Sequence, residues 1–219
     1  MNPPLMVELF SGSKRMAEAF RQRGWTVLTI DNDPTLHPHL VADIEDVTPQ
    51  AIIGRLGGEP DFLWASPPCT AFSVASIGHH WKEGRPSEHA IHGAKLFAET
   101  IRLAMQMRAK NWAFENPRAM ARKLPILASL PRRTVSYCRY GENRMKPTDI
   151  WTNLDEWRDR GCCKSGDDCH EAAPRGARTG TQGIDGAYLR GALPVDLCEE
   201  IADAATRAWR KRQHKGAYR

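Results

Sequence analysis

Residues 5–31 constrain the fold of this chain more than any other stretch. Leu5-Met6-Val7-Glu8-Leu9-Phe10 is a short apolar run, cut by Ser11-Gly12-Ser13. A helical pattern runs from Lys14 to Arg23, Gly24 ends it, and the β-branched run Thr26-Val27-Leu28-Thr29-Ile30 closes on Asp31. A strand, a tight turn, a helix and a second strand ending in an acid form a mononucleotide-binding half-unit. Such a unit needs a parallel sheet with helices on its faces.

The alternation continues. Leu40 to Ile44 is a strand, Pro49 to Leu56 a helix, and Asp61-Phe62-Leu63-Trp64-Ala65 a strand stopped by Ser66-Pro67-Pro68. Thr70 to Gly84 reads as a long loop, Glu88 to Ala109 as an amphipathic helix, and Trp112-Ala113-Phe114 as a buried strand ending at Glu115-Asn116-Pro117. Thr134–Cys138 and Thr148–Thr152 are late strands. Pro194 opens a last helix with Leu197, Ile201, Ala204, Ala205 and Ala208 on one face. Between them, residues 155–188 turn to Gly, Cys, Arg and Asp with little periodicity. The expectation is an α/β, Rossmann-like fold: a mostly parallel sheet in residues 1–154, a small irregular insertion at 155–188, and a returning helix with a basic tail at 189–219. The 219 residues suffice for one such core.

Composition narrows the class. With 41% hydrophobic and 26% charged residues the chain is neither disordered nor collagenous. No window reaches the roughly 18 apolar residues of a membrane span, so no membrane partner is expected. Met1-Asn2-Pro3-Pro4 lacks the basic and apolar regions of a signal peptide, and the location expected is cytoplasmic. The net charge of +5 is mild but uneven, with a cationic run from Arg207 to Arg219 that is either a solvated helix end or a polyanion contact. In a cytoplasmic chain the six cysteines are not a disulfide framework.

In an open parallel sheet, ligands sit outside the carboxyl ends of the strands. Those ends bring Ser11-Gly12, Asp31, Asp43, Pro68-Cys69 and Glu115 to one crevice. Asp31 suits ribose hydroxyls, and Asp43-Ile44 suits an adenine amino group and ring, although an Asp at a strand end is also an ordinary turn cap. The first turn holds only Gly12 of a dinucleotide fingerprint, and there is no phosphate-binding Gly-x-x-x-x-Gly-Lys loop. A nucleoside cofactor without a phosphate chain fits, and S-adenosylmethionine is the obvious one. Cys69, on a stiff turn after two prolines and facing that crevice, reads as a nucleophile against the alternative of a buried structural thiol.

Glu8-Leu9-Phe10-Ser11-Gly12, Ser66-Pro67-Pro68-Cys69-Thr70-Ala71-Phe72-Ser73, Phe114-Glu115-Asn116-Pro117 and Tyr140-Gly141-Glu142-Asn143-Arg144-Met145-Lys146-Pro147 together resemble, in order and spacing, the signature motifs of DNA cytosine-5 methyltransferases. The compact layout is most similar to phage and prophage members. The resemblance implies the S-adenosylmethionine-dependent methyltransferase fold and transfer of methyl to C5 of a cytosine flipped out of duplex DNA. It implies Cys69, Glu115, Arg144 and Lys146 as catalytic residues, and cofactor contacts from Phe10, Ser11, Gly12, Asp31, Asn32, Asp43, Ile44 and Pro67. In the loop that would close over DNA, His79, His80, Trp81, Lys82 and Arg85 suit phosphate and groove contacts. The chain departs from the family where Ser13, Lys14 and Arg15 replace further glycines, and where Thr148 replaces the second Arg after Lys146. Pro117 follows Glu115-Asn116 where Val is commoner, and Arg190-Gly191-Ala192 replaces a closing Gly-Asn-Ser. The same chemistry on RNA, or a DNA-binding module without turnover, are the competing readings; a module needs neither Cys69 nor Glu115.

Two features lie in the insertion. Cys162, Cys163, Cys169 and His170 read either as a zinc site or as reduced thiols in a polar loop. The preferred ligands are Cys163, Cys169 and His170, with Cys138 or Cys162 as the fourth. Arg175, Arg178, Thr179, Thr181 and Gln182, set among glycines, are either target-recognition residues or part of a surface loop. An insertion this short, where relatives carry a large recognition domain, implies a short or relaxed target, or recognition that borrows the Thr70–Gly84 loop, the cationic tail or a second subunit.

Overall fold

The strand runs are apolar on both faces because both faces are covered, which is the mark of a parallel sheet wrapped by helices. The computed structural model describes residues 2–171, 184 and 187–216. In chain order the elements are β1 (Leu5–Leu9), α1 (Arg15–Arg21), β2 (Thr26–Asp31), β3 (Leu40–Val41), α2 (Pro49–Leu56), β4 (Phe62–Ala65), α3 (Ile77–His80), β5 (Trp81–Lys82), β6 (Arg85–Pro86), α4 (Glu88–Gln106), β7 (Asn111–Pro117), α5 (Pro125–Ala128), β8 (Arg132–Ser136), β9 (Pro147–Thr152), α6 (Ala187–Gly191) and α7 (Val195–Gly216). Seven strands form one sheet in the order β3-β2-β1-β4-β7-β9-β8. All its pairings are parallel except those of β9, which runs against both β7 and β8. The order reverses between β1 and β4, so the crevice for a ligand opens at their carboxyl ends.

Alternate side chains feed two cores. Val7, Leu9, Leu63 and Ala65 pack on one face with Ile52 and Leu56 of α2 and Phe97 and Leu103 of α4. Met6, Phe62 and Trp64 pack on the other with Met16 and Phe20 of α1 and Leu197, Ile201 and Ala205 of α7. Trp25 fixes α7 by donating its indole N–H to Thr206 Oγ1 at 3.0 Å, and Arg23 pairs with Asp203 at 2.6 Å. At the far end of α7, Arg212 donates to Asn111 Oδ1 at 2.6 Å and lies 3.5 Å from Asp61. Lys211 pairs with Glu156 at 3.3 Å. Asp61 and Asn111 stand at the amino ends of β4 and β7. These cations of the basic tail therefore lie at the end of the sheet opposite the crevice.

Two expected elements change. The strand expected over Leu40–Ile44 pairs only at Leu40 and Val41, because the Asp43 carboxylate accepts the Glu45 N–H at 3.0 Å and turns the chain away. The segment expected as a loop from Thr70 to Gly84 contains α3 and one arm of a two-stranded hairpin, β5-β6. Trp81 anchors it by donating its indole N–H to the Ala71 carbonyl at 2.7 Å, and its ring lies 6.1 Å from that of Phe72.

The turn between β1 and α1 is held by a buried acid. Lys14, the residue preceding α1, has a left-handed φ of 56° and offers no side-chain acceptor to the helix. Glycine takes that conformation without strain, and a lysine does not. Glu8 of β1, 3% exposed, accepts the Ala17 N–H instead at 3.1 Å. Burial pushes the Glu8 carboxyl up to about 8 from an ordinary 4.5. Unfolded, it ionises near pH 4.5, and folded, only near pH 8, so stability falls as pH rises through that window and levels off above it. Glu8→Gln keeps an acceptor for Ala17 and removes the ionisation. The melting temperature of the variant relative to wild type is expected to rise between pH 5.5 and pH 8.5 by the equivalent of a few kcal/mol. A difference that does not change with pH refutes the assignment.

Candidate active site

Two neighbouring strands carry the Cys69–Glu115 pair expected from the sequence. β4 ends at Ala65 and runs into Ser66-Pro67-Pro68-Cys69, while its parallel neighbour β7 carries Glu115 and Asn116 at its own carboxyl end. The prolines have no N–H, so Pro67 can only accept. Asn116, fully buried, donates Nδ2–H to the Pro67 carbonyl at 2.9 Å and ties the cysteine turn to β7. Cys69 then caps its own turn, its carbonyl accepting the N–H groups of Phe72 and Ser73, each at 2.9 Å. Behind the turn, Gly93 of α4 lets the Phe72 ring approach so closely that a Cβ there would sit 2.7 Å from it.

Glu115 is 5% exposed. Burial raises its pKa, opposed by Lys146 and by hydrogen bonds from Tyr137 and Ser66. The Tyr137 hydroxyl donates to Glu115 Oε1 at 3.3 Å, and its own ionisation is pushed far up by burial and by that carboxylate. Lys146 Nζ sits 4.5 Å above the Tyr137 ring and donates to the Tyr137 hydroxyl at 3.4 Å and to the Arg190 carbonyl at 3.0 Å. Burial lowers the Lys146 pKa, while Glu115 and Cys69 favour its charged form. The Cys69 thiol is pushed up by burial and then by Glu115, with Lys146 pulling the other way. Cys69, Glu115, Tyr137 and Lys146 thus form one electrostatic unit.

Arg144 lies apart from that unit. It is 5% exposed and donates to the carbonyls of Arg190 at 3.1 Å and Ala192 at 3.0 Å, pairs with Glu142 at 3.2 Å, and stacks 5.3 Å from the Tyr137 ring. Its guanidinium is engaged in holding the approach to α7 and one face of Tyr137.

Beside the cysteine turn lies a cavity of about 190 Å³ at the carboxyl ends of β1, β2 and β3. Phe10, Asp31, Asn32, Asp43 and Ile44 line it, together with Pro68, Ala71, Leu96, His89 and His92. Ser11, Gly12 and Pro67 do not. Gly12 donates its N–H to Asp31 Oδ2 at 2.9 Å, which aims that carboxylate, and Pro67 is turned toward Asn116. The Ser11 hydroxyl is buried without a protein partner. Two carboxylates and no Lys or Arg in the wall favour hydroxyl groups and positive charge over phosphate.

The residues matched by the family model for the C-5 cytosine-specific DNA methylases are 5–124, more than half of the chain. The chain belongs to this family. It is 26% identical over 167 residues to a protein of Frog virus 3 (isolate Goorha) named as a probable DNA (cytosine-5)-methyltransferase, covering 72% of this chain and 74% of that one. Among solved structures, it resembles the Entamoeba histolytica methyltransferase EhMeth with a TM-score of 0.51 and 12% identity, over 73% of this chain and 56% of that one. The S. pombe Dnmt2 methyltransferase matches with a TM-score of 0.44 and 15% identity, over 68% of this chain and 49% of that one. The chain spans about half the length of these solved structures. The mostly parallel seven-stranded sheet is that of the Rossmann-like methyltransferases.

Several side chains of this candidate site are not marked by the sequence motifs. Tyr137 read as a strand residue, yet it opens a 3-10 turn after β8 and so points back to Glu115. His89, His92, Gly93 and Leu96 of the cavity wall are spaced i, i+3, i+4 and i+7, a signal present in the sequence as one face of α4. In α3 and the hairpin that follows, His79, Lys82 and Arg85 are exposed, but Trp81 is spent on Ala71, and His80 Nδ1 lies 2.9 Å from Ser87 Oγ. Arg175, Arg178, Thr179, Thr181 and Gln182 lie outside the described residues.

The coupling of Cys69 to Glu115 is measurable without turnover. Glu115→Gln removes the negative charge that raises the thiol pKa, so the pH midpoint of Cys69 alkylation, followed by peptide mass spectrometry, is expected to move down. Lys146→Met should move it up. A midpoint unmoved by both changes separates the two groups.

Proposed function

We propose that this protein transfers a methyl group from S-adenosylmethionine to C5 of a cytosine flipped out of duplex DNA, through a covalent bond between Cys69 and C6 of the ring. The observation that carries the reading is the thiol–acid unit: half-buried Cys69 and buried Glu115 at adjacent strand ends, joined by the Asn116–Pro67 hydrogen bond. The cofactor cavity supports it. Asp31 and Asp43 are acceptors for ribose and amino groups, and Phe10 and Ile44 offer apolar surface to a base.

S-adenosylmethionine supplies an electrophilic methyl group on a sulfonium centre. Cytosine C5 is too weak a nucleophile to take it unaided. The Cys69 thiolate adds to C6 while Glu115, whose acid form is favoured by burial, passes its proton to N3, and the ring becomes an enamine with electron density at C5. After C5 accepts the methyl, its proton passes to water, N3 returns its proton to Glu115, and Cys69 leaves with the C6–S electrons. Tyr137 orients Glu115, Lys146 stabilises the thiolate, and Arg144 positions both through Tyr137 and residues 190–192. The hydroxyl and charge contacts inside the pocket require a base taken out of its stack. Exposed Lys82 and Arg85 on the hairpin behind Cys69 are placed for phosphates of the surrounding duplex.

Incubation with labelled S-adenosylmethionine and duplex DNA, followed by nucleoside analysis, tests it. 5-Methylcytosine is expected in DNA with wild type, to vanish with Cys69→Ala, and to fall by roughly 10²–10⁴ with Glu115→Gln. Product that persists with Cys69→Ala overturns the covalent route, and labelling of RNA in place of DNA overturns the substrate.

A further inference from the structure

Four side chains outside the reaction pocket converge on one point. The ligand atoms of Cys138, Cys163, Cys169 and His170 lie within 4.8 Å of one another. Sγ of Cys138 is 3.1 Å from that of Cys163 and 3.6 Å from that of Cys169, and His170 Nδ1 is 3.7 Å from Cys163 Sγ and 3.6 Å from Cys169 Sγ. A tetrahedral zinc with Zn–S near 2.3 Å and Zn–N near 2.0 Å sets its ligands about 3.5–3.8 Å apart. Three of the four separations fall on that tetrahedron. A disulfide would use two of the sulfurs and leave the third and the imidazole converging on nothing. Cys162, the other candidate, is exposed and directs its thiol to the Thr134 carbonyl at 3.2 Å.

The ligands come from two places. Cys138 belongs to the 3-10 turn Tyr137–Tyr140. The other three lie on the insertion, which doubles back at Gly166, where φ is +92°. Ser136 donates its N–H to the Gly161 carbonyl at 3.1 Å, and its hydroxyl accepts the Cys163 N–H at 3.1 Å. On the other side Tyr137 donates its N–H to the Met145 carbonyl at 2.9 Å, and Glu171 donates to the Asn143 carbonyl at 2.8 Å. The insertion has few apolar side chains with which to hold this arrangement, Cys163 being buried and its neighbours mostly polar and exposed. The turn it clamps presents Tyr137 to Glu115, and the loop it clamps carries Arg144 and Lys146.

We propose that Cys138, Cys163, Cys169 and His170 bind one structural zinc ion whose task is to position Tyr137 and Lys146 against Glu115. The positioning half rests on the proposed methyl transfer, and the metal half stands without it. On binding, the cysteine thiols lose their protons to solvent and His170 ligates through neutral Nδ1, with no change of oxidation state.

Elemental analysis of the purified full chain is expected to give one zinc per chain, and cobalt substitution a thiolate-to-cobalt charge-transfer band with tetrahedral d–d bands. Cys169→Ser and His170→Ala should lose the metal, His170→Cys should retain it, and Cys162→Ala should retain both metal and activity. Protein without metal whose cysteines are all free, or whose mass shows two hydrogens lost to a disulfide, overturns the site. Loss of zinc in Cys162→Ala overturns the ligand set. For positioning, chelator-treated protein should bind S-adenosylhomocysteine in calorimetry within about twofold of untreated protein, because the cofactor cavity lies on other strands. Its Cys69 alkylation midpoint should shift as Lys146 loses its place, and methyl transfer should drop at least tenfold and return with zinc. Unchanged alkylation and turnover after metal removal overturn the positioning role even if zinc is present. Failure of cofactor binding as well assigns the metal to general stability and overturns it too. If wild type transfers no methyl group, the zinc and alkylation readouts still stand, so failure of the function and of the site are separable.

Discussion

The hydrogen bond from Asn116 Nδ2 to the Pro67 carbonyl is the contact on which the site depends. By itself a buried amide–carbonyl bond contributes only about 1 kcal/mol. Its leverage is geometric. It joins the ends of two neighbouring parallel strands at the place where one becomes the Cys69 turn and the other presents Glu115, and displacing reacting groups by 1 Å costs about 10² in rate. The rest of the sheet serves this junction. The strand order reverses between β1 and β4, which opens the cofactor cavity beside it. Antiparallel β9 extends the sheet beyond β7, and its pairing with β8 brings in the turn bearing Tyr137.

Two regions of different electrostatic character meet there. The cavity beside the cysteine turn is walled by Asp31 and Asp43 without a lysine or arginine. The reaction pocket holds one thiol, one carboxyl and one ammonium, all buried enough to shift toward their neutral forms. In such a unit the cost of charging any member depends on the others, so a proton on Glu115 lowers the cost of a thiolate at Cys69. That coupling suits a reaction that needs an acid and a nucleophile at the same moment.

Much of this was legible in the sequence where local chemistry and tertiary context agree. α2 spans Pro49–Leu56 as read, because Thr48 caps it, Pro49 occupies its first turn and Gly57 ends it in a left-handed conformation. The Pro-Pro-Cys and Glu-Asn motifs stand at the carboxyl ends of β4 and β7, where the strand pattern of the sequence puts them. What escaped depends on contacts distant in sequence. Tyr137 becomes a partner of Glu115 only through a turn held by residues 145 and 161–163, and the cationic tail meets Asp61 and Asn111 only because α7 runs the length of the sheet. The convergence of Cys138 with Cys163, Cys169 and His170 was one of two pairings open in the sequence, and the fold brings that one together.

The central claim is that Cys69 attacks the base. Duplex DNA containing 5-fluorocytosine tests it most directly, because fluorine at C5 blocks the final elimination and leaves the enzyme attached. With S-adenosylmethionine present, the account predicts a complex that survives denaturation, carries the transferred methyl, and maps by peptide mass spectrometry to Cys69. Turnover of the cofactor without a trapped complex, or a complex mapped to another cysteine, contradicts it.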